Sequence, residues 1–433
     1  MTGFVKVSAS NGVFDFTANL IEIKKYGSSA RALMTRAVSG DAEVKELEES
    51  KVLRNMKSLV VHECAHFLDL TTTLWGVEYV IRKNLLAKAI SLDEEIEIKR
   101  EVSLINVSEL HAHEQLIIKS GVGLLKATHL NHEVVVDKRF GPIIYIYYNV
   151  ADVRICSVPL SMLAVLEANA YSCEVLSRIY DAENLADPVA KFLAMEEAKS
   201  DLDVILDDPD QSEYTVLISL LKLHYPELSI KELLILVTVI VRFALDLNGL
   251  EMSAIANFIQ SSIVNFRAGA ELSHDMRGGA SRAVIAFKTI LMMHAWRNTL
   301  DESERSSHDL MLKADPAAAI RNFWTSIGVV SFSDFITDLS FEASLKGIMS
   351  SCMLQEEIEI YSASQGNRMA LRQGNVASVG LANLRLMDIF LEDGGVFSMP
   401  NRIDVDIEKY LLDYAGLSGE IDKLCHKDRA YKR

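Results

Sequence analysis

Residues Leu59–Gly76 read LVVHECAHFLDLTTTLWG, and inside them stands His62-Glu63-Cys64-Ala65-His66. The run belongs to a longer amphipathic pattern. From Val52 to Leu70 the apolar residues Leu53, Met56, Leu59, Val60, Cys64 and Phe67 recur at helical spacing, leaving Asn55, Ser58, His62, His66 and Asp69 along the other side. The spacing predicts a helix with both histidines on one polar face. Residues four apart on a helix lie one turn above each other, so two imidazoles placed there can converge on one tetrahedral zinc ion. A glutamate directly after the first histidine occupies a different position, from which it reaches a metal-bound water as general base. His62 and His66 are therefore candidate metal ligands, and Glu63 is the candidate catalytic base. The competing reading is a chance match of polar residues one turn apart. Chance need not put both rings on the polar side, so the amphipathic context counts against it.

A catalytic zinc site has three protein ligands and one open position. Phe67 to Gly76 contains no histidine, so the metzincin extension is absent. Much later, VPLSMLAVLEANAYSCEVL places Glu167 in an otherwise apolar, small-residue helix. A lone carboxylate is costly to bury there unless a positive group compensates it, and a zinc ion would do so.

With these residues the sequence resembles the gluzincin group of zincin metallopeptidases, which carry HExxH on one helix and a third-ligand glutamate, often within ExxA, on a later one. His62-Glu63-Cys64-Ala65-His66 matches the first motif and Glu167-Ala168-Asn169-Ala170 the second. The resemblance covers two helices and the sheet expected before them, and it implies zinc held by His62, His66 and Glu167. In several gluzincin families an Asp four residues after the ligand glutamate orients a histidine. Tyr171 stands at that position here, which leaves Asp69 or Asn169 to orient an imidazole.

The expected activity is zinc-dependent hydrolysis of peptide bonds, with a peptide or protein as substrate. Glu63 would take a proton from water and deliver it to the leaving amine, and a further donor would stabilise the oxyanion. Tyr145, Tyr147, Tyr148, Arg154, His274 and Arg277 are candidates for that donor, each weighed against a packing role. An edge strand of the N-terminal sheet could align an extended peptide. Two rival readings remain open. Glu63-x-x-His66 and Glu271-x-x-His274 could belong to a carboxylate-bridged di-iron oxidoreductase, although that scheme gives His62 no role and needs a helix where the Gly-flanked AGAELSHDMRGG reads as a loop. Alternatively the chain is a non-catalytic helical interaction protein with a structural metal site, in which Glu63 would be dispensable. His111-Ala112-His113-Glu114 and His129-x-x-His132-Glu133 read as surface or capping groups.

Composition narrows the classes further. Acidic residues outnumber basic ones 60 to 44, and a net charge of -16 disfavours nucleic acid and anionic membrane surfaces as partners. Cys64, Cys156, Cys173, Cys352 and Cys425 are odd in number and contain no CxxC, which fits a reducing cytoplasm better than a disulfide framework. No secretory signal pattern opens the chain, and the apolar run Leu233 to Val241 is too short to span a bilayer. Cytoplasmic localisation is the expectation.

The chain should be predominantly helical α+β. A zincin-like part over residues 1–185, with a small β-sheet and the HExxH helix, precedes an all-helical part over 186–433. FVKVSASNGVFDFT alternates around Asn11-Gly12 and predicts an opening hairpin with that pair in its turn. HEVVVDKRFGPIIYIYYNV predicts a second strand pair, and sheet is expected only within roughly the first 150 residues. Helices are expected from Leu74 to Ala89, from Glu109 to Ala127, and repeatedly after Pro159, with SASQGNRMALRQGN and HDMRGGAS as loops.

Overall fold

A computed structural model of the protein describes residues 6–8, 11–16, 18–39, 47–92, 96, 116–119, 121–137, 141–329, 332–352, 354–372 and 374–412. The chain opens with strands β1 (Lys6–Ser8), β2 (Gly12–Asp15) and β3 (Leu20–Ile23), then helices α1 (Arg31–Ser39), α2 (Leu47–Thr72) and α3 (Leu74–Ser91). Strands β4 (Ile118–Lys119), β5 (His129–Asp137), β6 (Gly141–Val150) and β7 (Val153–Leu160) follow. Helices then dominate: α4 (Met162–Glu183), α5 (Pro188–Asp207), α6 (Ser212–His224), α7 (Ile230–Leu245), α8 (Gly249–Ser262), α9 (Phe266–Arg277) and α10 (Arg282–Arg297). The remainder comprises α11 (Glu302–Ala314), α12 (Pro316–Ser326), α13 (Asp334–Ser351), α14 (Gln355–Ser362), α15 (Ser364–Leu371) and α16 (Val376–Val379), then β8 (Ile389–Leu391) and β9 (Val396–Phe397). The fold is thus α+β and mostly helical, as expected.

Contacts divide the chain into two compact units. The first comprises Met1–Val107, Cys173–Ala198 and Leu339–Arg433, and the second Ser108–Ser172 and Lys199–Asp338. Neither unit is a continuous stretch. The boundary expected at 185/186 falls inside the Cys173–Ala198 segment of the first.

In the first unit the sheet order is β1-β2-β3-β8-β9, antiparallel except where β3 and β8 run parallel. Ile21 and Ile23 of β3 are fully buried, and α2 packs against β2 and β3. That packing explains the length of α2. Its apolar positions, including Val60, Cys64 and Phe67, are fully buried, so tertiary contact sustains the helix through a stretch of β-branched and polar residues whose intrinsic helix propensity is modest. At its end Thr73 caps α3 by accepting from the Gly76 amide at 3.1 Å, and a Cβ at Gly76 would overlap the Leu70 carbonyl. Only glycine closes that corner. Arg368 of α15 reaches the same corner, donating to the Thr72 carbonyl at 2.9 Å while lying over the Phe341 ring.

The second unit holds the sheet β4-β7-β6-β5, antiparallel throughout, with β5 at an edge. The apolar run Leu233 to Val241 lies in α7, a largely buried helix opened by a capping box of Ser229 and Glu232. Arg282 closes it at the other end, its guanidinium donating to the carbonyls of Ala244, Leu245 and Leu247. Among the described residues no single helix is long and apolar enough to cross a membrane.

Several expectations are corrected. The C-terminal part is not all helical, because β8 and β9 complete the first sheet, and sheet is not confined to the N-terminal stretch. Both strands are too short to show a period in sequence. β7 was not anticipated, its residues lying between a strand run and a helix run. The opening hairpin forms with Asn11-Gly12 in its connection, since the β1–β2 register ends at Ser8 and Val13, and Gly12 also begins β2 by pairing with Ile23 of β3. The helix expected from Glu109 to Ala127 lies partly outside the described residues, and its later part is strand β4 and a single 3-10 turn at Leu124–Lys126. SASQGNRMALRQGN contains helix α15, and AGAELSHDMRGG lies mainly in α9.

Candidate metal centre

Helix α2 presents His62 and His66 one turn apart, their ring centroids separated by 5.1 Å. Helix α4 supplies Glu167. Ligand atoms of His62, His66 and Glu167 all lie within 4.8 Å of one another, and the three side chains are buried. Among the described residues this is the group of His, Cys, Asp and Glu side chains with the spacing to hold a metal ion. The donor set fits such an ion: two imidazole nitrogens and one carboxylate oxygen, gathered where a cation would offset the cost of burying the carboxylate.

The orientation of His62 is fixed from behind. Its Nδ1 lies 3.1 Å from Oε2 of Glu174, which is two turns after Glu167 on α4. A carboxylate only accepts, so Nδ1 carries the proton and Nε2 is left as the ligating atom. Arg178 donates to the other oxygen of Glu174 at 3.1 Å, and its Nε donates to Ser58 Oγ at 3.2 Å, back on α2. Burial works against the Glu174 charge, but the hydrogen bond and charge of His62 and the Arg178 guanidinium hold its carboxyl below the usual range. The expected orienting residues were Asp69 and Asn169; the carboxylate found against His62 is Glu174. A helical signal for it existed, since a residue seven positions after Glu167 returns to the same face.

His66 is walled by aromatic rings. Phe14 of β2 stacks on it with centroids 6.2 Å apart, and Phe16 meets it edge-on at 5.9 Å. Both phenylalanines are fully buried. Such a shell lowers the local dielectric and limits solvent access to a metal at this place.

Glu63 projects from α2 toward the start of β2. A Cβ at Gly12 would overlap the Glu63 carboxylate, so the absence of a side chain at that strand position makes room for the candidate base. The sequence offered Gly12 as a turn residue, and its use as a close approach emerges only from the packing. Cys64 is fully buried, and burial followed by the neighbouring Glu63 charge pushes its thiol pKa strongly up, which suits a packing role. Among the described residues Cys64, Cys156, Cys173 and Cys352 are free thiols; Cys425 lies outside them.

The other sequence candidates have packing partners of their own. Tyr147 donates to Glu133 at 2.9 Å and carries the Arg154 guanidinium 3.4 Å above its ring, while Tyr145 stacks on Tyr147. Tyr148 is buried, and Arg277 bonds Asn257. Glu271 pairs with Arg267 at 2.9 Å, and His274 sits in the last turn of α9. His129 and His132 lie in β5, whereas His111, His113 and Glu114 fall outside the described residues.

Comparisons of the chain with protein-family models, curated proteins and solved structures find no significant match.

Proposed function

We propose that this chain is a zinc-dependent metallopeptidase of the zincin type, hydrolysing peptide bonds with Glu63 as general base. The observation that carries the reading is the convergence of His62, His66 and Glu167, three buried donors from two helices whose ligand atoms lie within 4.8 Å of one another. His62 would ligate through Nε2, because Glu174 engages its Nδ1. Zinc, when bound, supplies a Lewis acid and lowers the pKa of a coordinated water into the neutral range. Glu63 takes the proton of the attacking water on its carboxylate and passes it to the leaving amine nitrogen as the C–N bond breaks. Gly12 leaves that carboxylate space beside the β2 backbone, and Phe14 and Phe16 keep bulk water from His66. Glu174 and Arg178 hold the imidazole of His62 in one tautomer through the cycle.

The substrate is a peptide or protein. The acidic net charge disfavours nucleic acid and anionic membranes, and the free thiols suit the cytoplasm. The test is hydrolysis of a quenched-fluorescence peptide library by zinc-loaded wild type and Glu63→Gln. Cleavage should fall by a factor of about 100 or more in the variant while its zinc is retained. Equal cleavage by both proteins, or no cleavage by zinc-loaded wild type on any sequence in the library, would count against the proposal.

A further inference from the structure

His62, Glu63 and His66 are closed off from solvent, at 2%, 1% and 0% exposed. A zinc peptidase must bring a scissile peptide bond and a water molecule against its base, and side chains covered to this extent leave no approach for either. An enzyme built on this centre therefore has to open before it acts.

Strand β2 is the cover on the side of the first sheet. Alternate residues of a strand face the same side, so Gly12 and Phe14 point together toward α2, and Phe16 follows at the same spacing just past the end of the strand. Gly12 lies against Glu63, where an added Cβ would overlap the carboxylate. Phe14 stacks on the His66 ring and Phe16 meets it edge-on, and Phe16 carries the cover on to Trp75 of α3 at 6.1 Å. The space beside the base that a substrate must occupy is thus filled by the chain itself. β2 is held there by short ladders, three residue pairs to edge strand β1 and four to β3. Short ladders at a sheet margin open locally at lower free energy than the whole fold.

We propose that β2 is a movable cover over the candidate centre, lifting from α2 to admit a peptide segment beside Glu63 and His66. The inference rests on the metallopeptidase reading for its consequence, since a hydrolase needs the space that β2 vacates, whereas the cover itself is a property of the metal-free chain. With β2 in place the base and His66 are shielded, so hydrolysis is confined to segments that reach the centre while β2 is displaced.

The test is the reaction of the metal-free full chain with diethyl pyrocarbonate, which acylates accessible imidazoles, timed for each histidine by peptide mass spectrometry. Exposed His132 serves as the reference. In wild type His66 should react about 100-fold or more slowly than His132, yet faster than the chain unfolds as followed by circular dichroism. Phe16→Leu should speed the reaction of His66 about tenfold, by more than it speeds unfolding. A Val13→Cys/Glu22→Cys pair, set across β2 and β3 at paired positions on the face turned away from α2, should slow the reaction when oxidised and restore it when reduced. In the zinc-loaded proteins peptide cleavage should change in the same direction as His66 reactivity. His66 reacting as fast as His132, reacting only at the rate of unfolding, or reacting equally in the oxidised and reduced forms of the pair would overturn the proposal. Absence of cleavage by every zinc-loaded protein would count against the metallopeptidase reading alone, with the histidine rates still deciding whether β2 moves.

Discussion

His62 Nδ1 and Glu174 Oε2 stand 3.1 Å apart, joining the helix that carries HExxH to the helix that carries Glu167. The contact makes Glu174 the positioning residue of the candidate centre. Glu174→Gln keeps the shape but removes the charge, and it should weaken zinc binding by about tenfold to 100-fold without unfolding the chain. Competition with a chromophoric chelator measures this directly. An unchanged zinc affinity would show that the hydrogen bond does not tune the ligand.

Gly12 and Glu63 are coupled sterically. Gly12→Ala should destabilise the fold by about 1–3 kcal/mol, because the added methyl meets the Glu63 carboxylate. In a Glu63→Ala background most of that penalty should disappear, and the double-mutant cycle by urea denaturation gives the coupling energy. Additive effects would mean that the methyl group is accommodated elsewhere.

A second buried pair tests the first unit away from the metal. Lys83 Nζ donates to Glu357 Oε1 at 2.8 Å, with the two side chains 1% and 2% exposed. Glu357→Gln leaves a buried ammonium without its counter-charge and should cost about 3–5 kcal/mol. Burial opposes the Lys83 charge, but the coulombic effects of Glu357, Tyr361 and Tyr410 outweigh it, so the folded-state pKa lies above the ordinary lysine value. A raised pKa means that the lysine's contribution is fully present below the unfolded value of about 10.4 and is lost as pH rises through the higher folded value. Wild-type stability should therefore show no pH dependence from Lys83 between roughly pH 6 and 9, whereas in Glu357→Gln, with the counter-charge gone, burial lowers the Lys83 pKa. Deprotonation of Lys83 in folded wild type inside that window would contradict the assignment.

The helix that carries the motif was legible in sequence because a long amphipathic period is a strong signal, and Glu167 was legible because a carboxylate amid small apolar residues is conspicuous. Glu174 lies seven residues after Glu167, on the same helix face but outside the four-residue spacing at which the resemblance places an orienting carboxylate. β8 and β9 escaped because a strand of two or three residues carries no period, and their place beside β3 is a long-range pairing that local sequence does not encode. Gly12 looked like turn chemistry next to Asn11, and only the approach of Glu63 reveals its use. In α15 the residues Ser364, Gly366 and Asn367 have weak helix propensity, and tertiary contacts override it, with Arg368 anchored on Thr72 and Asn367 bonded to Arg385.

Removal of the metal should be visible in stability as well as in activity. A zinc ion held at a free concentration of 100 times its dissociation constant contributes about 2.7 kcal/mol, so chelation should lower the melting temperature of wild type and leave His66→Ala unmoved. Equal shifts in both proteins would place the chelator's effect elsewhere.

The central claim is tested most directly by metal content. Wild type, His66→Ala, Glu167→Ala and Glu271→Ala, each checked for folding by circular dichroism, are reloaded with zinc, desalted and measured by inductively coupled plasma mass spectrometry. The account predicts about one zinc per wild-type chain, lost in His66→Ala and Glu167→Ala and kept in Glu271→Ala. Folded wild type without zinc, or zinc that survives both ligand substitutions, would contradict it.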